Sequence, residues 1–554
     1  MIRKNMRILF AGALLCSLSL AGCDALDTKE DLNLTDEMMA TRRYQMFDWG
    51  YRVYEHIPYG FTAIDGNLFA AVSDEAQYVT TFSSTQRFNE GSWSAYYNPD
   101  DCYTSYYNGI YAAHDYLDKS VDYRYILGMH RDTLTSNGLD SYRRDIVDVQ
   151  RLRAEAHVLK AYYYFELAKR YGGVPLIDRV YADQKEANLP RGTFDEVVGL
   201  ILREIEGVRN ELVVDWRAEN LEEKSGRGAA LALKSRVLLY AASPQFNPSG
   251  EKSKWAAAAA AAFEVINMGI YSLHPDYGGL FVAETSTTSP ETIWAVRMGA
   301  TNEFERKNYP IGTQGGGTGI CPSQNLVEAY ESTGEDTGDA YAGLDPRFYA
   351  TVLRNGDTWN GRTLEIYAGG ADDPARQNAS PTGYYLRKFL NENLNLTNDD
   401  KRLRSWIVFR YAEILLNFAE AMNEAYGPDD AHGYGMSARD AVDAVRARSG
   451  VGMPPVDVDP GDAAAMRTAI KHERRIELAF EDHRYWDLRR WDDAGTVLNR
   501  PLRGVKVTRS GDGFAYTPFE VAKRIFDAPK MNLYPIPQAE IVKSGGVLDQ
   551  NPGW

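Results

Sequence analysis

The segment from Phe88 to Tyr97 combines aromatic and polar side chains in a stretch that has the character of a loop. The rings of Trp93, Tyr96 and Tyr97 could stack on the apolar faces of sugars, and the neighbouring polar side chains could bond to sugar hydroxyls. For Trp93 a place in the hydrophobic core is the alternative, and the sequence leaves both open. We expect this segment, which precedes a helix starting near Pro99, to bind a polyhydroxylated ligand.

Two other places offer hydrogen-bonding side chains at loop positions. Asp65 and Asn67 flank a glycine, and turn chemistry alone is an adequate alternative explanation of these residue types. Arg387 follows Tyr384 by three positions and could hold the polar edge of a sugar. We predict ligand contacts for Asp65, Asn67, Tyr384 and Arg387.

Motifs typical of catalysis or of metal binding do not occur in this sequence. It contains no GxSxG elbow, no HExxH motif and no phosphate-binding glycine-rich motif. Hydrolysis of a glycoside needs two carboxylates a few ångströms apart, but 77 acidic residues supply such pairs without any specificity. We therefore predict no catalytic residue, no metal site and no cofactor, with a glycoside hydrolase as the weaker alternative.

The net charge of the chain narrows the classes of partner, and its cysteines raise the question of a disulfide. The chain has 61 basic and 77 acidic residues, and its net charge of −16 argues against nucleic acid as a ligand. Of the four cysteines, Cys102 and Cys321 lie far from the N-terminus. They could form one disulfide or remain separate thiols, and the sequence does not decide between the two.

Long segments of the chain have apolar residues at helical spacing. This spacing predicts helices over residues 145–170, 193–212, 228–242, 252–268, 406–426, 437–449 and 463–491. Thr193 and Glu196 have the spacing of a capping box at the start of one of them. Paired helices with glycine or proline turns indicate degenerate repeats of the tetratricopeptide kind.

Two regions lack this helical periodicity. One runs from Phe281 to Arg404 and the other from Pro58 to Pro99, and we expect them to build a binding face over the helical frame. The predicted fold is therefore mostly α, an α–α superhelix of tetratricopeptide-like repeats with a large loop-rich ligand-binding region. We predict one domain over residues 37–554, with the scaffold at about 98–270 and 405–491 and the binding region at about 58–99 and 281–404.

The N-terminus has the layout of an exported lipoprotein. A basic start precedes an apolar run from Ile8 to Leu20, which is too short to span a bilayer. Leu20-Ala21-Gly22-Cys23 resembles the bacterial lipobox, and a plain secretory signal with an incidental cysteine is the alternative. We predict a signal peptide over residues 1–22, lipidation of Cys23, and a polar tether over residues 23–36. Several acyl chains on one residue would hold the protein firmly to a membrane.

Four blocks of sequence occur in a fixed order along the rest of the chain. They are Arg153–Ala156 with Tyr163–Leu167 and Arg170–Leu176; Arg410–Leu416 with Ala419–Ala421; Glu473–Leu478 with Arg484–Arg490; and Leu533–Pro537 with Gln550–Gly553. In this order, and behind a lipobox, they resemble the signature of the SusD/RagB family of outer-membrane proteins. The resemblance covers nearly the whole mature chain.

The resemblance implies a surface lipoprotein of a Bacteroidetes cell that caps a SusC-like TonB-dependent transporter and captures oligosaccharides, with peptide capture as the alternative within the family. It also implies that the segment around Trp93 supplies an aromatic platform and that the stretch from Gly315 to Asn325 lines the ligand site, which would place Cys321 near ligand. Asp24 directly follows the predicted lipidated cysteine. In enteric bacteria an aspartate at this position would favour retention of the lipoprotein in the inner membrane, so this residue departs from what the resemblance implies. Lys29-Glu30-Asp31 is similar to Bacteroidetes surface-export signals, so we expect the outer membrane, facing the exterior.

The charges of the third block have a structural explanation of their own. Arg474 and Arg475 lie beside Glu473 and Glu477 on one predicted helix, where spacings of three and four residues put opposite charges on the same face. We interpret these charges as a network that joins repeats of the scaffold, and we do not assign them to the binding site.

Overall fold

The computed structural model of the protein describes residues 43–129, 131–183, 186–282, 285–333, 339 and 341–554. The predicted signal peptide, the lipidated Cys23 and the tether of residues 23–36 lie outside the described residues. Helix strongly predominates over strand in the described part, which confirms the prediction of a mostly α-helical fold. None of the helices described there is both long enough and apolar enough to span a membrane.

The α-helices follow one another in the chain as α1 (Arg43–Tyr51), α2 (Ser84–Asn89), α3 (Tyr103–Lys119), α4 (Tyr123–Gly128), α5 (Ser136–Tyr171), α6 (Phe194–Val208), α7 (Arg227–Ala242), α8 (Lys252–Ile266), α9 (Thr285–Thr288), α10 (Glu303–Asn308), α11 (Gln324–Val327), α12 (Pro346–Thr351), α13 (Tyr411–Tyr426), α14 (Ala438–Arg446), α15 (Ala463–Glu477), α16 (Arg484–Arg490), α17 (Ala494–Val497) and α18 (Gln538–Lys543). The strands are β1 (Ala76–Tyr78), β2 (Thr292–Thr301), β3 (Ile320–Pro322), β4 (Val352–Leu353), β5 (Thr358–Trp359), β6 (Arg362–Thr363), β7 (Tyr385–Leu386), β8 (Arg402–Arg410), β9 (Leu502–Ser510) and β10 (Gly513–Ala522). The strands form antiparallel pairs, β1 with β3, β2 with β8, β4 with β7, β5 with β6 and β9 with β10.

Contacts between residues divide the chain into two units. In the smaller unit, residues 1–48 and 119–146, both Arg43 and Arg131 donate to the carboxylate of Asp145. The larger unit comprises residues 49–118 and 147–554, and it contains every predicted ligand-binding residue.

The larger unit is built on a row of helices that pack side by side. Helix α7 packs against α6 and α8, α8 packs against α13, and α13 packs against α14 and α15. Alanines at 258, 259, 261 and 262 bury the face of α8, and such small side chains allow neighbouring helices to approach closely. This arrangement is the predicted tetratricopeptide-like scaffold.

Helix boundaries agree with the predictions where capping residues define them. Thr193 caps α6, and its side chain and that of Glu196 form the predicted capping box. The prediction of a helix from Trp406 was wrong, because residues 402–410 form strand β8 and the helix begins at Tyr411. Consecutive aromatic and β-branched residues favour a strand at this position.

The helix predicted over residues 463–491 is in fact two helices. Helix α15 ends at Glu477 and α16 begins at Arg484. Between them Phe480 and Asp482 adopt left-handed backbone conformations, with φ of +66° and +63°. Such values are uncommon for residues other than glycine, and they interrupt the helix.

The charges of the third sequence block form buried contacts between elements, which confirms their interpretation as scaffold. Arg474 donates to Asp487 at 3.0 Å and to Asn417 at 2.8 Å. Glu477 accepts hydrogen bonds from Arg410 at 2.7 Å and from Arg347 at 2.9 Å. The partners thus come from other elements, whereas the spacing had predicted pairs along one helix.

Candidate functional site

The two loop-rich regions meet in the folded chain. The side-chain amides of Asn67 and Asn308 exchange hydrogen bonds of 3.1 and 3.2 Å. Strand β1 pairs with β3 so that Gln77 lies opposite Cys321. Residues from the first region and from the start of the second therefore contribute to one continuous structure, as the prediction of a shared binding face requires.

Asp65 organises the start of α2. Its carboxylate accepts hydrogen bonds from the backbone N–H groups of Ser84 at 3.2 Å and Thr85 at 2.7 Å, and from the Thr85 hydroxyl at 2.6 Å. These contacts satisfy N–H groups that a helix leaves free at its first turn. The predicted Asp65 therefore positions the helix and the loop before it.

Exposed aromatic rings lie in the chain segments next to this helix terminus, and that of Tyr97 contacts it. Phe82 is 96% exposed, Tyr96 84% and Tyr97 42%. The Tyr97 hydroxyl lies 3.1 Å from the Ser84 hydroxyl, and the Arg87 guanidinium lies 5.4 Å above the Tyr97 ring. We call Phe82, Ser84, Arg87, Tyr96 and Tyr97 the aromatic face.

A tight turn presents Tyr96 to solvent. Ser94 and Tyr97 exchange two backbone hydrogen bonds, of 2.8 and 3.1 Å, so the residues between them form the tip of the turn. Exposed apolar rings beside hydroxyl and guanidinium groups can stack on a sugar face and bond to its hydroxyls. The face thus has the chemistry that the sequence predicted for this segment.

The prediction that Trp93 is an accessible platform was wrong. Its side chain is only 4% exposed and stacks on Phe88 with 4.9 Å between ring centroids. The rings of Tyr534 and Trp554 pack against it at 5.2 and 4.6 Å. A ring enclosed by three others belongs to the hydrophobic core and has no face to offer a ligand.

Three more predicted residues lie beneath the surface. Asn67, Cys321 and Tyr384 are each at most 1% exposed. The Tyr384 hydroxyl donates to Gln324 at 2.6 Å, and burial raises the pKa of the Cys321 thiol to about 12. These residues support the binding region from inside, and direct ligand contact would require them to move. Cys102 and Cys321 are both free thiols.

Arg387 lies apart from the aromatic face. It lines a separate cavity of about 670 Å³, whose wall also contains Trp359 and Asn393. Its guanidinium donates to the carbonyl of Tyr349 and to the Glu392 carboxylate, both at 3.2 Å. The predicted ligand contact of Arg387 thus concerns a residue that lines a cavity, although the sequence did not predict that cavity.

The sequence did not predict the positions of Phe82, Ser84 and Arg87 on the aromatic face. A single phenylalanine within a run of serines and threonines has no apolar neighbour to pack with, and this was the available signal for an exposed ring. Across the described ranges, no group of three or more histidine, cysteine, aspartate or glutamate residues could hold a metal ion.

Two sequence-family profiles match this chain. The profile of the SusD family matches residues 290–554, and a SusD-like profile described as starch-binding and associating with the outer membrane matches residues 25–239. Together they include both loop-rich regions over most of their length.

Individual relatives agree with the profiles. SusD-like protein P2 of Formosa agariphila is 24% identical over 77% of this chain and 79% of its own length. SusD-like protein P38 of the same organism is 28% identical over 65% of this chain and 70% of its own. The chain is similar to a solved SusD-like protein of Bacteroides fragilis, with a TM-score of 0.76, 26% identity, and coverage of 94% and 99% of the two chains. A structure described as a laminarin-binding SusD-like protein shares the fold, with a TM-score of 0.61, 23% identity, and coverage of 92% and 99%.

Proposed function

The chain belongs to the SusD family, and on that premise we propose that it captures an oligosaccharide at the cell surface and passes it to a SusC-like TonB-dependent transporter. In this proposal lipid on Cys23 holds the protein to the outer membrane, with the larger unit facing the exterior. The family is one of carbohydrate-binding proteins that associate with the outer membrane.

The aromatic face is the observation that carries this proposal. Tyr96 and Phe82 expose nearly their whole rings, which costs hydrophobic free energy unless a ligand or partner covers them. Ser84 and Arg87 contact the neighbouring Tyr97 side chain and can bond to hydroxyls at the edge of a sugar. Stacking on an open face gives weak and reversible binding, which suits a protein that must release its ligand to a transporter.

Replacing Tyr96 by alanine is expected to weaken glycan binding about threefold to tenfold, because one aromatic stacking contact contributes about 0.5–1.5 kcal/mol. Isothermal titration against starch, laminarin and a panel of other soluble glycans measures this change. Tyr125→Ala is a matched control, since this tyrosine is 72% exposed but lies in the smaller unit. Equal weakening by both variants, or no binding of any glycan, would contradict the proposal. Release of reducing sugar from a bound glycan would favour a hydrolase instead.

The proposed transporter can be tested separately from the ligand. We expect the full-length protein, extracted from outer membranes in mild detergent, to copurify with a barrel protein of TonB-dependent type. The Tyr96→Ala variant should recover the same barrel, because it alters one exposed ring and leaves the rest of the surface unchanged. Recovery of no barrel protein from native membranes would contradict the partnership, whatever the glycan result.

A further inference from the structure

The cavity of about 670 Å³ that Arg387 lines shares no residue with the aromatic face. Most of its wall comes from the loop-rich region of residues 281–404. Its volume falls in the range of about 300–1,000 Å³ that small-molecule sites occupy. Its wall comes from the segments 276–282, 346–350 and 387–394, together with Trp359 and Arg402. We define this as the Arg387 cavity.

Hydrogen bonds from the protein fix the loop that supplies most of the polar groups. The Tyr309 hydroxyl donates to the carbonyl of Asn391 and accepts from the backbone N–H of Leu394 at 3.3 Å. The Asn360 amide donates to the Leu394 carbonyl at 3.3 Å, and the Asn391 amide donates to Glu305 at 2.9 Å. The loop is therefore preorganised at both ends, which lowers the entropic cost of binding a ligand there.

Arg387 and Glu392 provide a guanidinium and a carboxylate on one side of the cavity. The two groups are 3.2 Å apart, and each is about one-third exposed. A partly exposed pair of this kind contributes little to stability, so either group can exchange its partner for a ligand hydroxyl at small cost. Asn393 is exposed beside them and adds an amide that can both donate and accept.

Trp359 supports the wall of the cavity from beneath its surface. The side chain is fully buried and packs edge-on against Tyr309, with 5.2 Å between ring centroids. Its indole N–H has no hydrogen-bond partner among the described residues.

The charges that line the cavity cancel. Arg387 and Arg402 are balanced by Asp276 and Glu392. Lys388 also borders the cavity, but its ammonium donates to Glu481 at 2.6 Å and its side chain is 1% exposed. A cavity with no excess charge, in which amide, carboxylate and guanidinium groups are accessible, is suited to a neutral polyhydroxylated ligand.

We propose that the Arg387 cavity is a second carbohydrate site, which takes a short neutral oligosaccharide of about one to three rings or the end of a longer chain. This proposal rests on the proposed function, because it assigns a second subsite to the same class of ligand. The exposed rings of the aromatic face can lie along the interior of a chain, whereas the Arg387 cavity is a pocket of about 670 Å³.

Two variants test the cavity without removing its ion pair. Ala350→Phe places a ring in the cavity from helix α12, and Asn393→Ala removes an exposed amide from its rim. Ala464→Phe, at an exposed alanine in the first turn of α15, is the matched control for the added ring. Maltotriose and laminaritriose are the short probes, and starch and laminarin are the long ones.

We expect Ala350→Phe to weaken binding of the better trisaccharide at least tenfold and Asn393→Ala to weaken it about threefold, while Ala464→Phe has no effect. Tyr96→Ala should chiefly weaken binding of the long glycan. If the long glycan binds and depends on Tyr96, but both cavity variants bind trisaccharide like the parent, the second site is refuted and the proposed function stands. If the parent binds no glycan of the set, both proposals fail together. If Ala350→Phe lowers the melting temperature substantially, Asn393→Ala decides the result, because its side chain is exposed.

Discussion

Replacing Glu477 by glutamine is expected to lower the free energy of unfolding by about 3–5 kcal/mol, the usual cost of breaking a buried ion pair. The Glu477 side chain is fully buried, and its carboxylate accepts hydrogen bonds from Arg347, Arg410 and Arg448. Glutamine has nearly the same shape but no charge. The variant therefore leaves three buried guanidinium groups with one carboxylate fewer, while the packing volume is unchanged.

The position of Glu477 explains why a single carboxylate matters so much. Arg410 ends strand β8, directly before α13, and also donates to Glu291 at 2.7 Å. Arg448 follows α14, and Arg347 lies in α12, where it also donates to Asp345 at 2.7 Å. Glu477 thus joins the helical scaffold to elements of the loop-rich region. Loss of the Glu477 charge should therefore destabilise the contacts between the helical scaffold and the loop-rich region, as well as the contacts within the scaffold.

The carboxylate of Glu477 should also make the free energy of unfolding depend on pH. Burial by itself would raise the pKa of Glu477, but Arg448, Arg410 and Arg347 outweigh burial and hold that pKa well below its usual range. A carboxyl group with a depressed folded-state pKa stabilises the protein above its unfolded-state value, which is about 4.5. That stability is lost as the pH falls from this value through the lower folded-state pKa. The variant lacks this contribution, so its stability should fall less steeply below about pH 4.5.

Urea unfolding, followed by tryptophan fluorescence at pH 7 and at pH 4, measures both effects. Glu206→Gln is the matched control, because Glu206 pairs with Lys234 at 2.6 Å and Arg209 at 2.9 Å but is 41% exposed. We expect this control to lose less than about 1 kcal/mol, as exposed ion pairs do. An equal loss of unfolding free energy in the two variants would contradict the prediction, because burial would then not increase the contribution of Glu477 to stability.

Local signals in the sequence were sufficient to predict much of the frame. The Thr193 capping box marks the start of α6, and the glycine after Tyr426 marks the end of α13. The break between α15 and α16 could not be predicted in this way. Phe480 is a residue that disfavours a left-handed conformation, and only its tertiary surroundings, including the hydrogen bond from its N–H to buried Glu75, hold it there.

The binding residues were harder to predict than the frame because composition does not report exposure. Trp93 and Tyr96 lie in the same turn-rich segment, and both types suit either a core or a sugar platform. Their environments differ because residues 534 and 554, more than 400 positions later in the chain, cover Trp93 and leave Tyr96 in solvent. The same applies to the Arg387 cavity, whose wall combines segments that are far apart in the sequence.

Replacing Trp93 by alanine is therefore expected to destabilise the protein by about 3–5 kcal/mol, as the loss of a large buried aromatic side chain does. The variant removes the ring that stacks on Phe88 and packs against Trp554, and it leaves a cavity in an aromatic cluster. Trp93→Phe should cost clearly less, because it keeps a ring, and the indole N–H that it removes has no hydrogen-bond partner among the described residues. Thermal unfolding of the three proteins gives this order directly.

Glycan binding separates this structural role from direct contact with ligand. At a temperature where the Trp93 variants remain folded, we expect both to bind glycan within about twofold of the parent, since a buried ring has no free face. Tyr96→Ala should show the reverse behaviour, with unchanged stability and weaker binding, because its ring is 84% exposed. If Trp93→Phe kept full stability but lost glycan affinity, the indole would have to reach the ligand in the bound state. Binding would then require the segment around Trp93 to open, and the aromatic face as described would be only part of the site.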